Sequence, residues 1–140
     1  MPRLSSHFGL QDPRLQTVCM PLMTPTTIST AANVTLTAAQ LLNGLILRDG
    51  NGGARTDTLP TAALLVEAIQ GAMVGTSFYL EFRNTTSTAV AITLAAGTGC
   101  TISGTATVAQ LNGKSLLINL TNVTPGSEAY TVYSLGTAVF

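Results

Sequence analysis

Charged residues make up only 9% of the 140 positions in this chain, and six basic and six acidic side chains cancel to a formal charge of zero, whereas a soluble domain ordinarily carries about 25% charged residues. The scattered basic residues argue against a nucleic-acid partner, which needs clustered positive charge. Polar residues interrupt every apolar stretch, which argues against a membrane span of about 20 apolar residues. A chain of this length is expected to form one domain with its own core.

Residues 1–33 are predicted to form an extended N-terminal arm. Prolines punctuate the stretch, and proline removes a backbone donor and favours extended conformations in the residue before it. The arm also carries apolar side chains, which are expected to pack either on a neighbouring subunit or on their own domain. These predicted contact residues are Leu10, Leu15, Val18, Met20, Leu22 and Met23.

Two short helices and a tight reversal are predicted after the arm. Thr37 and Gln40 match a capping box, and Asn43-Gly44 ends that helix. A strand over 45–48 then leads into a glycine-rich reversal over 49–53, which is predicted to be a hairpin tip before 54–57. The second helix is expected to have Thr58 as its cap, with Gly71 as its stop. Its predicted apolar face consists of Leu59, Ala62, Ala63, Val66 and Ile69.

Strand patterns dominate from Thr76 onwards. Apolar residues alternate with polar ones, which predicts strands with one buried face. The expected buried rows are Phe78, Leu80 and Phe82, then Val90, Ile92 and Leu94, then Leu116, Ile118 and Leu120, and finally Tyr130 with Val132. Shorter strands are expected at 101–103 and 105–109. This spacing predicts a mainly β fold, an antiparallel β-sandwich or jelly-roll-like domain over 34–140 with the helices added to it.

No constellation of residues predicts catalysis. His7, the only histidine, lies in the arm without an acid to orient its ring. Four carboxylates have structural explanations instead: Asp49 in a turn, Asp57 paired with Arg55, Glu67 on a helix surface, and Glu81 paired with Arg83. Similar local pairing is expected for Asp12 with Arg14 and for Asp49 with Arg48. We expect no enzymatic activity.

Metal and cofactor sites are not expected either. Cys19 and Cys100 follow no metal-ligand or redox spacing, and the pattern favours two free, buried thiols over the alternative of a disulfide. The loop over 49–53 lacks the further oxygen ligands of a calcium site. Asn33, Asn84, Asn119 and Asn122 begin Asn-x-Thr triplets, which a threonine-rich chain contains by chance.

The charge-free stretch between Arg83 and Lys114 is the part of the predicted domain where contacts between subunits are expected. A surface of threonine and asparagine with little charge suits a subunit that meets copies of itself. The interface residues predicted in these strands are Ile92, Leu94 and Ile102.

From about Thr35 to its end, the chain resembles a family of small proteins found among tailed-phage and environmental viral sequences. The residues that carry this resemblance are Thr37-Ala38-Ala39-Gln40-Leu41-Leu42, Leu45-Ile46-Leu47-Arg48-Asp49, Arg55-Thr56-Asp57-Thr58-Leu59-Pro60-Thr61-Ala62, Val74-Gly75-Thr76-Ser77-Phe78 and the stretch 122–133. The arm is not part of the resemblance.

The resemblance implies a virion-surface component, most like a capsid decoration (cement) protein of a cyanophage-like tailed phage. Its expected partners are itself, as a homotrimer, and the major capsid protein, with no nucleic acid or membrane partner. Its expected location is the capsid surface after synthesis in the host cytoplasm. Two alternatives stay open: a receptor-binding or fibre-tip module, and a self-polymerising shell or appendage subunit.

Overall fold

The computed structural model describes residues 24–140, which form nine strands and two short helices. In chain order these are β1 (Thr26–Ile28), α1 (Ala38–Leu42), β2 (Leu45–Arg48), β3 (Arg55–Thr58), α2 (Ala62–Ala68), β4 (Ser77–Asn84), β5 (Ile92–Ala95), β6 (Cys100–Ser103), β7 (Thr107–Val108), β8 (Asn112–Asn122) and β9 (Ala129–Val139). The described part of the chain is therefore mainly β with two helices, as the sequence predicts.

The strands form a six-stranded sheet in the order β1-β2-β4-β8-β9-β6 and a three-stranded sheet in the order β3-β5-β7. The predicted antiparallel pairing holds for β4 with β8, β8 with β9, and β5 with β7. Four other pairs are parallel: β1 with β2, β2 with β4, β3 with β5, and β6 with β9. Both sheets are therefore mixed, because the chain passes between sheets instead of returning through consecutive hairpins.

The glycine-rich reversal after β2 does not form the predicted hairpin. β2 belongs to the six-stranded sheet and β3 to the three-stranded sheet, so the two strands do not pair. Asp49 does act as a turn residue, because its Oδ1 accepts a hydrogen bond from the Asn51 amide at 2.8 Å. Instead, the Gly50 amide donates to Thr86 Oγ1 at 2.7 Å, which ties the reversal to the loop after β4. A local pattern predicted the turn but not the sheet that receives the next strand.

One hydrophobic core lies between the two sheets and the helices. The predicted inward residues Leu80 and Phe82 of β4 are buried, as are Leu116, Ile118 and Leu120 of β8. Tyr130 and Val132 are the buried residues of β9, as predicted. Burying a large apolar side chain stabilises a fold by about 1.5–3 kcal/mol, so these rows supply much of the driving force.

Both helices begin at threonine caps. The capping box of α1 is confirmed, since Thr37 Oγ1 accepts from the Gln40 amide and Gln40 Oε1 accepts from the Thr37 amide. The cap of α2 is Thr61, and the predicted cap at Thr58 is wrong because that residue ends β3. Leu65, not the predicted Ala63, is buried in the core, because Ala62, Leu65 and Val66 have the i, i+3, i+4 spacing of one helical face.

The predicted arm lies only partly within the described residues. Residues 1–23, with His7, Cys19 and the six predicted contact residues, lie outside them. Within 24–33, β1 is hydrogen-bonded to β2, with Thr26 opposite Ile46 and Ile28 opposite Arg48. β1 is therefore an edge strand of the larger sheet. Neither helix has the length and apolarity needed to cross a membrane.

Candidate assembly surface

The candidate surface is the outer face of the six-stranded sheet, the face that is turned away from the core. Along β4, Leu80 and Phe82 point into the core, so the alternation of a strand turns Tyr79, Glu81 and Arg83 to the other side. The register places Tyr79 opposite Leu117 of β8, and Leu117 opposite Tyr133 of β9. These three residues form an apolar row across the middle of the sheet, which we call the tyrosine row.

No described element covers this face. The helices and the three-stranded sheet contribute their buried residues, among them Leu41, Leu65 and Ile92, to the core on the inner side. On the outer side, Tyr79 is 70% exposed and Tyr133 is 40% exposed. Large apolar side chains left exposed together are typical of an interaction site.

The outer face carries very little charge. Its charged side chains among the described strands are Glu81 and Arg83, whose Oε1 and Nε atoms lie 4.0 Å apart. Glu81 Oε2 also accepts a hydrogen bond from Ser115 Oγ at 2.7 Å, and the Arg83 guanidinium lies 4.5 Å from the centre of the Phe140 ring. Glu81 thus has a hydrogen-bond partner, whereas Arg83 Nε is buried without one among the described residues and faces Glu81 only at ion-pair distance.

A depression at one end of the sheet extends this apolar surface. Its volume is about 280 Å³, and it is lined mainly by Leu42, Ile69, Phe78 and Tyr79. Leu42 and Tyr79 are both exposed. The tyrosine row therefore continues into a concavity between the ends of α1, α2 and β4.

The second half of β9 has an edge with which no described strand pairs. β6 pairs with β9 only from Tyr130 to Tyr133, after which Gly104, at a φ of 101°, turns the chain away beside Ser134. On its other side, β9 stays paired with β8 as far as Val139. Among residues 24–140, no strand pairs with this edge over 134–139, and it contains neither a charged residue nor a proline, the features that commonly protect such edges.

The charged residues of the core pair differently from the prediction. Arg48 does not pair with the side chain of Asp49, nor does Asp57 pair with Arg55. Instead, Arg48 and Asp57 form a buried ion pair, with Nε and Oδ2 at 2.6 Å. Arg55 Nε donates to the Gly50 carbonyl. Among the predicted ion pairs that lie within the described residues, Glu81 and Arg83 are the one pair within ion-pair distance. Their nearest charged atoms are 4.0 Å apart, which is a long separation.

The four carboxylates considered at the sequence level do not converge into a site. Asp57 is held by Arg48, Asp49 lies in its turn, and Glu81 lies on the opposite face of the sheet from the core. Glu67 is exposed on α2. Within residues 24–140, no group of three His, Cys, Asp or Glu side chains is placed to hold a metal ion.

Cys100 is half-buried at the start of β6 and has no disulfide partner among the described residues. Burial raises the pKa of its thiol, while hydrogen bonds with Tyr130 and with the Gly97 backbone oppose that rise. Burial and the neighbouring Cys100 likewise raise the pKa of Tyr130, whose hydroxyl donates to the Pro60 carbonyl at 2.7 Å. Both groups are therefore uncharged at neutral pH, and they link β6 and β9 to the residues before α2.

The prediction that Ile92 and Leu94 contact another subunit is wrong. Ile92 is 0% exposed and Leu94 is 3% exposed within the single chain, so neither is available to another subunit. They form the inner face of β5, which packs on the larger sheet. Ile102 is partly buried against the same core. Ile92 and Leu94 are apolar because they are buried, although many residues of the charge-free stretch are exposed. Sequence reasoning assigned no role to the outward residues Tyr79, Leu117 and Tyr133.

Comparisons with protein-family models, with curated proteins and with solved structures give no significant match.

Proposed function

We propose that this protein is a structural virion subunit that self-associates as a homotrimer and decorates a tailed-phage capsid, bound to the major capsid protein. Two arguments support the proposal: the sequence resemblance to a virion-surface family, and the open, nearly uncharged outer face of the six-stranded sheet. The observation that carries the self-association is the tyrosine row, in which Tyr79 is 70% exposed.

The physical basis is the low desolvation cost of this face. Ser77, Asn119 and Thr131 flank the tyrosine row on one side. Glu81 and Ser115 flank it on the other, so a partner covers mainly groups that can hydrogen-bond, with one carboxylate among them. Aromatic residues dominate the binding energy of protein interfaces, with tyrosine among the most enriched. A stable interface needs about 800 Å² from each partner, which is within the scale of one face of a six-stranded sheet.

The proposal is tested with a lysine placed on the tyrosine row. Tyr79→Lys would bury a charge in the interface, and we expect its association to weaken by about 100-fold or more, as loss of an aromatic interface anchor does. The matched control is Leu64→Lys, because Leu64 is 55% exposed on α2, in the layer opposite the outer face. Light scattering after size exclusion gives the mass of each variant.

The outcomes separate the proposed function from its alternatives. A wild-type trimer that Tyr79→Lys dissociates and Leu64→Lys leaves intact is the expected result. A wild-type monomer at about 100 μM would contradict self-association, and open-ended polymers would favour an appendage subunit. Finding the protein on the outside of purified particles by cryo-electron microscopy, at a fixed copy number per capsomer, tests the decoration role itself.

A further inference from the structure

We infer that Asn51 is a site of spontaneous deamidation, and that the fold directs this modification to Asn51 and protects the other Asn-Gly pairs of the chain. Deamidation converts an asparagine side chain to a carboxylate without an enzyme, using the amide nitrogen of the following residue and water. The inference is independent of the proposed virion function, because it rests on the backbone around one turn.

The chemistry of the reaction sets what the structure must provide. The backbone nitrogen after the asparagine loses its proton and attacks the side-chain carbonyl carbon, Cγ. A bond from this nitrogen to Cγ forms, the bond from Cγ to the side-chain nitrogen breaks, and ammonia leaves with the proton. Water then opens the resulting succinimide ring at either carbonyl, which gives aspartate or its β-linked isomer. The net change exchanges ammonia for water, and nothing is oxidised or reduced.

The sequence alone does not select one asparagine. Glycine in the following position favours the attack, because it has no Cβ to block the approach and its backbone adopts more conformations than that of other residues. Three pairs meet this condition: Asn43-Gly44, Asn51-Gly52 and Asn112-Gly113. The structure distinguishes them by what holds the attacking amide.

The Asn51-Gly52 pair is exposed at the tip of the reversal over 49–53. Among residues 24–140, no acceptor receives the Gly52 amide, and no group is hydrogen-bonded to the Asn51 carboxamide. A Cβ placed on Gly52 would have no atom within 4 Å, so the space beside its nitrogen is open. Neither reacting group therefore has to give up a hydrogen bond within the described chain.

The turn at Asn51 can also reach the reactive geometry. The attack requires the peptide between Asn51 and Gly52 to rotate until its nitrogen faces Cγ. The two residues have φ values of 50° and 80°, and glycine leaves this left-handed region freely. One backbone hydrogen bond closes the turn, from the Gly53 amide to the Gly50 carbonyl at 3.2 Å, which is at the long end of the usual range. Little opposes the rotation.

The Asn43-Gly44 pair is held at both reacting groups. The Gly44 amide donates to the Leu41 carbonyl at 3.1 Å, and Asn43 Nδ2 donates to Thr26 Oγ1 at 3.1 Å. The Gly44 carbonyl in turn accepts from the Glu81 amide at 2.9 Å. Deamidation at Asn43 would have to break these bonds first.

The Asn112-Gly113 pair is held by the larger sheet. Gly113 is buried in β8, opposite Arg83 of β4 on one side and opposite Ala138 of β9 on the other. Its amide cannot turn towards the Asn112 side chain without opening the ladder of three strands. This pair is therefore protected as long as the sheet is intact.

Deamidation at Asn51 would change the charge of the whole chain. The formal charge is zero before the reaction. The new carboxyl group has an ordinary pKa of about 3.9, so it is ionised at neutral pH and adds one negative charge. Ion exchange can therefore separate the modified chain from the original one.

The test follows all three pairs in the full-length folded protein. The protein is incubated at mildly alkaline pH in heavy-oxygen water and then digested with trypsin in ordinary water. Trypsin cleaves after Arg48 and Arg55, which places Asn51 in the peptide 49–55, and the other two pairs fall in other peptides. Mass spectrometry is expected to show one heavy oxygen entering at residue 51 at least about tenfold faster than at the other two pairs, because those must first break hydrogen bonds.

Two controls accompany the measurement. The same protein in concentrated urea has no fold to protect any pair, so the three asparagines are expected to react at similar rates. The variant Asn51→Asp marks the position at which the aspartate product elutes from an ion-exchange column.

The outcomes are decisive for the site. Equal rates at the three pairs in the folded protein, or a slower rate at Asn51 than at Asn43 or Asn112, would overturn the inference. So would an Asn51 that reacts in urea and stays unmodified in the folded protein. None of these results bears on the proposed self-association, which is tested separately at Tyr79.

Discussion

Arg48 and Asp57 form a buried, two-pronged ion pair that joins the two sheets. Arg48 Nε lies 2.6 Å from Asp57 Oδ2, Arg48 Nη2 lies 3.1 Å from Asp57 Oδ1, and both residues are 0% exposed. The other guanidinium hydrogens go to carbonyls of Thr30, Ala32 and Asp49. Asp57 Oδ1 also accepts from the Val34 amide at 3.1 Å. One arginine therefore fixes the path of the chain between β1 and α1.

Replacing Asp57 with alanine is expected to be severely destabilising. The change leaves the Arg48 guanidinium buried without its counter-charge, and breaking a buried pair in this way costs about 3–5 kcal/mol. Urea denaturation followed by circular dichroism measures the free energy of unfolding. The control is Glu81→Gln in the long, partly exposed pair with Arg83, where we expect a loss of at most about 1 kcal/mol. Equal losses in the two variants would contradict the role assigned to the buried pair.

Asn84 is expected to be essential for the junction between the two sheets. Its Nδ2 donates to the carbonyls of Val90 at 2.9 Å and Val108 at 3.0 Å, and its Oδ1 accepts from the Thr86 amide. Asn84→Asp keeps the shape, but an ionised carboxylate cannot donate, so one buried and one partly buried carbonyl lose their partners at about 1–3 kcal/mol each. We expect a lower urea midpoint for Asn84→Asp, while Asn122→Asp, at a partly exposed position, leaves it nearly unchanged.

The burial of Asn84 also decides whether its Asn-x-Thr triplet can be glycosylated. Because Asn84 is buried and both hydrogens of its amide are engaged, the folded chain has no room for a glycan at this Asn-x-Thr triplet. Mass spectrometry of protein expressed in a glycosylating host is expected to show Asn84 unmodified. A glycan on the Asn84 of folded protein would contradict the described packing.

Lys114 is expected to make stability rise with pH in the alkaline range. Its side chain is buried on the inner side of β8, where Nζ donates to the Thr105 carbonyl at 2.8 Å, and burial lowers its pKa from the ordinary value of 10.5. Between the lowered pKa and 10.5, the unfolded chain binds more protons than the native chain. The free energy of unfolding contributed by this residue therefore increases as the pH rises through that window.

The measurement is a comparison with Lys114→Met. Urea denaturation from pH 7 to pH 10.5 gives the stability of each chain, and the difference between them removes contributions from other groups such as Cys100. We expect the wild type to gain stability relative to the variant as the pH increases. A difference that stays constant with pH would refute the assignment.

Gly97 is required by a close approach of two chain segments. A Cβ at this position would meet the carbonyl oxygens of Leu59 and Pro60 well inside van der Waals contact, and a backbone cannot move aside as a flexible side chain can. Gly97→Ala is expected to cost about 1–3 kcal/mol, the usual penalty for overpacking. Gly136→Ala is the matched control, because a Cβ there has open space around it and no positive φ is involved. Thermal melting compares the two, and equal melting temperatures would contradict the prediction.

Local patterns predicted much of the fold correctly. The capping box at Thr37 and Gln40, the inward rows of β4 and β8, and the inward pair of Tyr130 and Val132 all follow from residues within a few positions of each other. Such features are decided by side-chain periodicity and by short-range hydrogen bonds, both of which are visible in a sequence.

Pairing between distant residues was not predictable in this way. Arg48 was expected to pair with its neighbour Asp49, and the reversal after β2 was expected to be a hairpin, because the sequence shows neighbours in the chain and not neighbours in space. The charge of Asp57 is buried because β3 crosses to the other sheet and brings its carboxylate to Arg48.

The candidate surface could be identified only from the tertiary structure. The sequence by itself determined the scarcity of charge, the mainly β composition and the alternating rows. It could not determine which uncharged rows are buried, because Ile92 and Tyr79 both lie in alternating strands. Only the packing of the second sheet and the helices on one side of the larger sheet buries Ile92 and leaves Tyr79 exposed, since a sheet has two faces and the described layers cover one.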